Sequence, residues 1–470
     1  MTTHLSEHVT VQHTKMAKVL ANIVRDKHEW LIERKKAQPL ETFQSQLVQS
    51  DRDFYAALKK PGTAFILECK KASPSKGLIR QRFDLDEICG VYKQYASAIS
   101  VLTDEKYFQG NLEFLPVVRR QTTQPILCKD FMVSEYQVYL ARHYGADAIL
   151  LMLSVLSDEE YSALASVAHS LGMGVLTEAS NEEEVERAIA LKAQVVGINN
   201  RNLRDLTTDL NRTKQLAPQL PSDVTIISES GIYTNQQVRE LSQFAKGFLI
   251  GSSLMAEENL ELAARKVILG QHKVCGLTRA EDAAKVFQSG AVSGGLIFVE
   301  KSPRFVTLEQ AKAVKKGAPL NYTGVFQNHS IEEVCHTAVT LSLQAVQLHG
   351  HEDQDYIDTL RDALPTDIEI WKAYPVADAL PDAFFKNVDR HLLDAKVKDQ
   401  LGGTGQRFDW SLLGENADKV MLAGGLNAEN VAEALTLGCN GLDFNSGVES
   451  SPGCKDSQKL TQVFDIIRHY

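Results

Sequence analysis

The chain of 470 residues contains no uninterrupted apolar run of the roughly 20 residues that a membrane-spanning helix needs. Its first fifteen residues, MTTHLSEHVTVQHTK, lack the apolar core of a signal peptide, so a cytoplasmic protein is expected. Seven cysteines include no CxxC pair, and any pairing leaves one over. A disulfide framework is therefore disfavoured, and a reducing compartment fits better. Positive charge is not in excess either. A formal net charge of −10 disfavours nonspecific nucleic-acid binding. No low-complexity linker divides the chain, although it is too long for one ordinary domain.

What the chain does have is a strand–helix cycle, run twice. Short apolar segments occur at 64–70, 98–104, 125–131, 148–153, 174–178, 195–201, 225–231 and 247–253. A second series occupies 273–277, 294–299, 322–328, 345–350, 369–374, 391–395, 420–425 and 441–447. Runs rich in Val, Ile and Leu, bounded by turn residues, read as strands buried on both faces. Helical patterns lie between them. Ser157 with Glu160, and Ser330 with Glu333, have the spacing of a capping box. Tyr161, Leu164, Ala165, Ala168 and Leu171 make one apolar stripe behind the first. Ile331, Val334, Cys335, Ala338 and Leu341 make another behind the second. Strict alternation of strand and helix predicts an α/β fold of two tandem TIM (β/α)8 barrels, the first preceded by an extra helical segment. The expected domains are 1–270 and 271–470, joined near the helical tail Glu261–Gly270.

A parallel barrel places its chemistry at the C-terminal ends of its strands. In the first series Glu68 and Lys70, Lys129, and Glu178 close three strands. Alternation puts Glu68 and Lys70 on the same face of theirs. One charge at a wet strand end is ordinarily just solvated. Four converging on one rim suit a lysine general acid beside a carboxylate base. Ser230-Gly231 and Gly251-Ser252 end strands seven and eight, where barrels often bind phosphate through backbone N–H groups.

The motifs ECKKASPSKG (68–77), ILCKDF (126–131), LTE (176–178), GINNR (197–201), SESGI (228–232) and LIGSSLM (249–255) resemble indole-3-glycerol phosphate synthase over roughly Met16 to Gly270. The resemblance implies ring closure of a carboxyphenylamino-deoxyribulose phosphate, followed by loss of CO2 and water. It implies Lys129 as general acid and Glu178 as general base or proton acceptor. Glu68 and Lys70 would tune that pair, with Lys70 near the leaving carboxylate. Asn199, Arg201, Glu229 and Ser230 would line the substrate, and Ser73, Gly231, Gly251 and Ser252 would hold its phosphate. Asn202 and Ser134 stand where the family commonly has aspartate.

In the second series Cys275 lies within strand one and Asp394 at the end of strand six. A lone buried cysteine is usually inert packing. Basic neighbours or a helix N-terminus can lower a thiol's pKa, and that would make Cys275 a usable base. His349 and His351 are too few for a zinc site, so no metal is expected. Gln347 and His349 share a strand face and more readily touch substrate. Gly402–Gly405 reads as a flexible loop able to close over a ligand.

The stretches KVCGLTR (273–279), KSPR (301–304), QLHG (347–350), LLDA (392–395), GGTGQRFDW (402–410), LAGGLNAENV (422–431) and LDFNSGVESSPGCKD (442–456) resemble phosphoribosylanthranilate isomerase over nearly all of 271–470. The resemblance implies an Amadori rearrangement in which Cys275 removes the sugar C2 proton and Asp394 protonates the ring oxygen. Arg304 would bind the anthranilate carboxylate, and Gly425, Ser446 and Gly447 the phosphate. Phe444 is a conservative departure. The isomerase product is the synthase substrate, and the fused order resembles bifunctional enzymes of tryptophan biosynthesis. No cofactor is implied. The expected partners are small phosphorylated substrates, not nucleic acid or membrane, and a monomer is expected. Three other readings compete. A Schiff-base aldolase would use Lys129 as nucleophile. Histidine-pathway isomerase barrels would put aspartate at the end of strand one, where this chain has Glu68/Lys70 and Cys275. A catalytically inert barrel would lack its acid or base, and neither barrel does.

Overall fold

A computed structural model describes residues 18–202, 205–395 and 407–470. The loop Gly402–Gly405, expected to close over a ligand, lies outside these residues. The strands form two closed barrels, each with eight parallel members in sequential order. In the first they are β1 (Ala64–Cys69), β2 (Ala98–Leu102), β3 (Ile126–Lys129), β4 (Ala148–Met152), β5 (Gly174–Ala179), β6 (Val195–Asn199), β7 (Thr225–Glu229) and β8 (Gly247–Ile250). In the second they are β9 (Lys273–Val274), β10 (Ser293–Ile297), β11 (Asn321–Phe326), β12 (Ala345–Leu348), β13 (Glu369–Val376), β14 (Arg390–Ala395), β15 (Val420–Leu422) and β16 (Gly441–Phe444). The chain divides into two compact units, one holding Gln237–Ala264 and the residues before Thr234, the other Thr234–Gln236 and Arg265–Tyr470.

Both capping boxes form. The Ser157 hydroxyl accepts from the Glu160 N–H and the Glu160 carboxylate from the Ser157 N–H, opening the helix Asp158–Ser170. Ser330 and Glu333 do the same for the helix Ile331–Thr340. Of the two stripes, Tyr161, Leu164, Ala165 and Ala168, and Val334, Ala338 and Leu341, are buried, whereas Leu171, Ile331 and Cys335 are half-buried at the stripe edges.

Several strands are shorter than their sequence patterns, whereas β5, β13 and β14 run one or two residues longer. The predicted segment 247–253 stops at Ile250, because a short helix starts at Ser252. The segment 273–277 keeps only Lys273 and Val274 as strand. Cys275, expected within strand one, therefore lies just beyond it. Its N–H still donates to the Phe444 carbonyl at 2.7 Å, but the chain turns at Gly276, whose φ is +76°. The extra N-terminal segment is the helix Lys18–Ala37, which buries Leu20, Ile23, Val24, Lys27 and Leu31. A lysine on that apolar stripe is the exception that its packing must explain.

Candidate active sites

In the first barrel all twelve residues singled out from the sequence line one cavity at the strand ends. At its floor lies an alternating charge cluster. Lys129, largely buried on β3, donates to Glu229 Oε2 at 2.7 Å and lies 3.9 Å from Glu68 Oε2. Glu68 is fully buried and takes Lys70 Nζ at 2.5 Å on its other oxygen. Asn199 Nδ2 donates to Glu178 Oε1 at 3.0 Å. Glu229 Oε1 is buried without a hydrogen-bond partner among the described residues.

Burial and charge set the protonation of this cluster. Burial raises the Glu178 carboxyl to about 7, Glu229 adds to the rise, and Lys129 and Asn199 oppose it. Burial alone would lower the Lys129 ammonium, but Glu229, Glu68 and Glu178 together push it up, so it stays charged. Burial likewise opposes ionisation of Glu68, and Lys70 with Lys129 overcomes it, leaving its pKa lowered. The site thus pairs a lysine held in its protonated form with a carboxyl poised near neutrality, an acid–base arrangement.

Two glycines make room for the carboxylates. A Cβ on Gly197 would lie 1.9 Å from Glu229 Oε1, and one on Gly251 would lie 2.4 Å from Glu68 Oε1. Gly251, expected at a phosphate, therefore also makes room for Glu68. After β7, Ser230 and Gly231 both take positive φ, +67° and +82°. A serine in that region is uncommon, and strain of this kind clusters at functional loops. Arg201 reaches the cavity wall while one arm donates to the Leu206 carbonyl at 2.8 Å.

The sequence reading missed the other wall. Leu20 and Ile23 of the N-terminal helix and Phe108, Phe131 and Leu249 supply apolar surface facing the charges. The helix is pinned by Lys27, which pairs with Asp104 at 2.7 Å and Asp130 at 2.8 Å, all three nearly inaccessible. These aspartates follow β2 and β3 at the barrel mouth. The available signal was the lysine's place on the apolar stripe.

In the second barrel Lys273 is fully buried, and its Nζ donates to Asp443 at 2.5 Å and to Gln347 at 2.7 Å. Asp394 lies 3.5 Å from His349 Nε2. Burial lowers His349 to about 4, with Lys273 adding to it, so the imidazole is neutral and this contact is not an ion pair. Burial raises Asp394 to about 6, which suits a proton donor. Cys275 corrects an expectation. Its thiol is pushed up, not down, because burial outweighs the ammonium groups of Lys273 and Lys455. Gly295 packs on it, since a Cβ there would meet Cys275 Sγ at 2.5 Å. Arg304 is buried and held by Glu449. Gly424 and Gly425 take φ of +89° and +66° after β15, and Ser446 and Gly447 form a single helical turn after β16.

Residues 20–267 match the family described as indole-3-glycerol phosphate synthase, and residues 272–466 match N-(5'-phosphoribosyl)anthranilate isomerase. The tryptophan biosynthesis protein TrpCF of Vibrio cholerae serotype O1 is 66% identical over 470 residues, covering all of both chains. The chain belongs to the TrpCF family. Its relative in Vibrio parahaemolyticus is 66% identical over 470 residues, covering 99% of this chain and 98% of that one. That of Yersinia pestis is 62% identical over 461 residues, covering 98% and 96%. As a TrpCF protein the chain is a bifunctional enzyme of tryptophan biosynthesis, synthase in the first barrel and isomerase in the second. Among the described residues no helix is long and apolar enough to cross a membrane.

Proposed function

We propose the following division of labour among the side chains. The second barrel isomerises N-(5-phosphoribosyl)anthranilate to the carboxyphenylamino-deoxyribulose phosphate. Asp394, protonated, gives its proton to the furanose oxygen as the ring opens, and Cys275 takes the proton from C2. Arg304 binds the anthranilate carboxylate. Gln347 and His349 contact the substrate, and Gly425, Ser446 and Gly447 hold its phosphate.

The first barrel closes, decarboxylates and dehydrates that product. Lys129 protonates the ribulose carbonyl oxygen as the new carbon–carbon bond forms. Glu178 accepts the proton released on the way to the indole. Glu68 and Glu229 keep Lys129 charged and aimed, and Lys70 faces the leaving carboxylate. Asn199, Arg201 and Ser230 line the substrate, with Ser73, Gly231, Gly251 and Ser252 at its phosphate. The apolar wall from the N-terminal helix receives the aromatic ring. One observation carries this reading: a charged lysine and a carboxyl near pKa 7 face one cavity.

The test supplies phosphoribosylanthranilate and follows indole fluorescence. Lys129→Ala should stop indole formation while isomerisation continues, with a loss of about 10²–10⁴-fold or more for a general acid. Retention of more than a few per cent of synthase turnover would remove Lys129 from its role. We further infer a cytoplasmic monomer whose halves, 1–270 and 271–470, fold separately. Each fragment should keep one activity, and a mixture should give indoleglycerol phosphate after a lag. Insoluble fragments would count against the division.

A further inference from the structure

Arg304 does not stand free at the second site. Glu449 grips it side-on: Nε donates to Oε1 at 3.0 Å and Oε2 at 3.1 Å, and Nη2 donates to Oε2 at 2.7 Å. Both side chains are nearly inaccessible. The glutamate is itself fixed. Lys455 Nζ, fully buried, donates to its Oε1 at 2.7 Å, and the Gly453 N–H donates to the same oxygen at 3.2 Å. Glu449 and Lys455 face each other across the antiparallel ribbon Glu449–Ser451/Cys454–Lys455, so backbone pairing sets the register of the grip.

The grip occupies the Nε–Nη2 edge of the fork. It leaves Nη1 without a protein acceptor among the described residues. The stem of Arg304 crosses Gly276, where a Cβ would lie 2.6 Å from its Cδ. Gly276 adjoins Cys275, so the stem of Arg304 passes one residue from the thiol-bearing position. A guanidinium whose plane is already fixed gives up less freedom when it binds a carboxylate bidentately.

We propose that Glu449 is a positioning residue for substrate recognition: it fixes the plane of Arg304 and turns its remaining edge toward the aromatic carboxylate. Lys455 keeps Glu449 ionised, so that the buried triad Arg304–Glu449–Lys455 is one unit. The proposal rests on the reading of Arg304 as the carboxylate-binding group. Its consequence is selective. Loss of Glu449 weakens ligands that carry the ortho-carboxylate and spares those that lack it.

The experiment uses the full chain and two reduced analogues of the aminoketose phosphate, one with the ortho-carboxylate and one without. Binding is read as competitive inhibition of isomerase turnover, so occupancy of the first barrel does not register. In the unaltered protein the carboxylated analogue should bind more tightly, and Arg304→Ala should abolish that preference. Glu449→Gln should reduce the preference about tenfold or more, the scale of one charge-assisted hydrogen bond misaligned. It should raise KM for phosphoribosylanthranilate more than it lowers kcat. Glu449→Asp keeps the charge but shortens the reach. It should reduce the preference too, and it decides the matter if Glu449→Gln is insoluble. A preference untouched by Arg304→Ala would overturn the carboxylate role of Arg304. A preference lost in Arg304→Ala but kept in both Glu449 variants would overturn the positioning role alone. Equal weakening of both analogues by the Glu449 variants would make the triad a structural brace and likewise overturn it.

Discussion

Gly197→Ala separates placement of the Glu229 carboxylate from stability of the fold. Gly197 sits on β6, opposite Glu178 on β5 and Ile227 on β7. The added methyl would lie 1.9 Å from Glu229 Oε1, 3.0 Å from its Cδ and 3.3 Å from Leu176 Cδ1. The carboxylate must retreat by more than about 1 Å to regain van der Waals separation. The moving atoms are the end of a flexible side chain, so the fold loses little. Overpacking should cost about 1 kcal/mol, the low end of the usual range. Part of that is offset by about 0.4–1 kcal/mol from the smaller freedom of alanine in the unfolded chain. Catalysis has no such relief. Glu229 Oε2 holds Lys129 at 2.7 Å, and a displaced carboxylate gives up that contact. A charge-assisted hydrogen bond contributes about 1.5–3 kcal/mol. If it is expressed in the transition state, synthase turnover falls about 10–10²-fold, at 1.36 kcal/mol per decade. The assay supplies purified carboxyphenylamino-deoxyribulose phosphate, follows indole fluorescence, and records isomerase turnover and thermal unfolding on the same preparation. The expected result is a large synthase loss, unchanged isomerase turnover and nearly unchanged unfolding. Synthase turnover within twofold of the unaltered protein would refute the argument that Glu229 must hold Lys129. A parallel fall in both activities would mean that the fold, not the site, had changed.

The two barrels should differ in their response to pH. Burial raises Glu178 to about 7, and its ionised form is the proposed base, so synthase kcat/KM should rise with pH through about 7, and Glu178→Gln should remove that limb. In the isomerase the acid titrates below the base: Asp394 at about 6, Cys275 above the ordinary thiol value. The competent pair, acid protonated and thiol ionised, is then a constant minority between the two pKa values. The isomerase profile should be flat from about 6 up to the thiol's pKa, and a fall beginning at 6 would contradict the assignment. Iodoacetamide should label the half-buried Cys454 or Cys335 before Cys275, and first labelling at Cys275 would show that its thiol is not raised. Lys27→Met leaves Asp104 and Asp130 facing each other without a cation, at a cost of about 3–5 kcal/mol for a broken buried pair. Limited proteolysis should then cut the helix Lys18–Ala37 first, with synthase activity lost and isomerase activity kept; a helix as resistant as in the unaltered protein would remove Lys27 from its pinning role.

Local rules carried much of this protein. Both capping boxes formed because a hydroxyl and a carboxylate three residues apart satisfy N–H groups of their own first turn, with no help from the rest of the chain. The strand–helix alternation led to two barrels because parallel strands joined by helices have few other ways to close. The gathering of Glu68, Lys129 and Glu178 around one cavity was legible because barrel strands all end at the same face. What the tertiary structure alone decided was every quantity set by burial and by charges far apart in sequence. Lys27 finds its aspartates roughly eighty and a hundred residues on, and no local pattern pairs them. Arg304 meets Glu449 across 145 positions. The Cys275 thiol looked activated beside basic residues, yet it is raised, since the cost of removing a thiolate from water exceeds what two nearby ammonium groups return. Sequence lists the charges; how deeply each is buried, and at what distance from the next, exists only once the chain has folded.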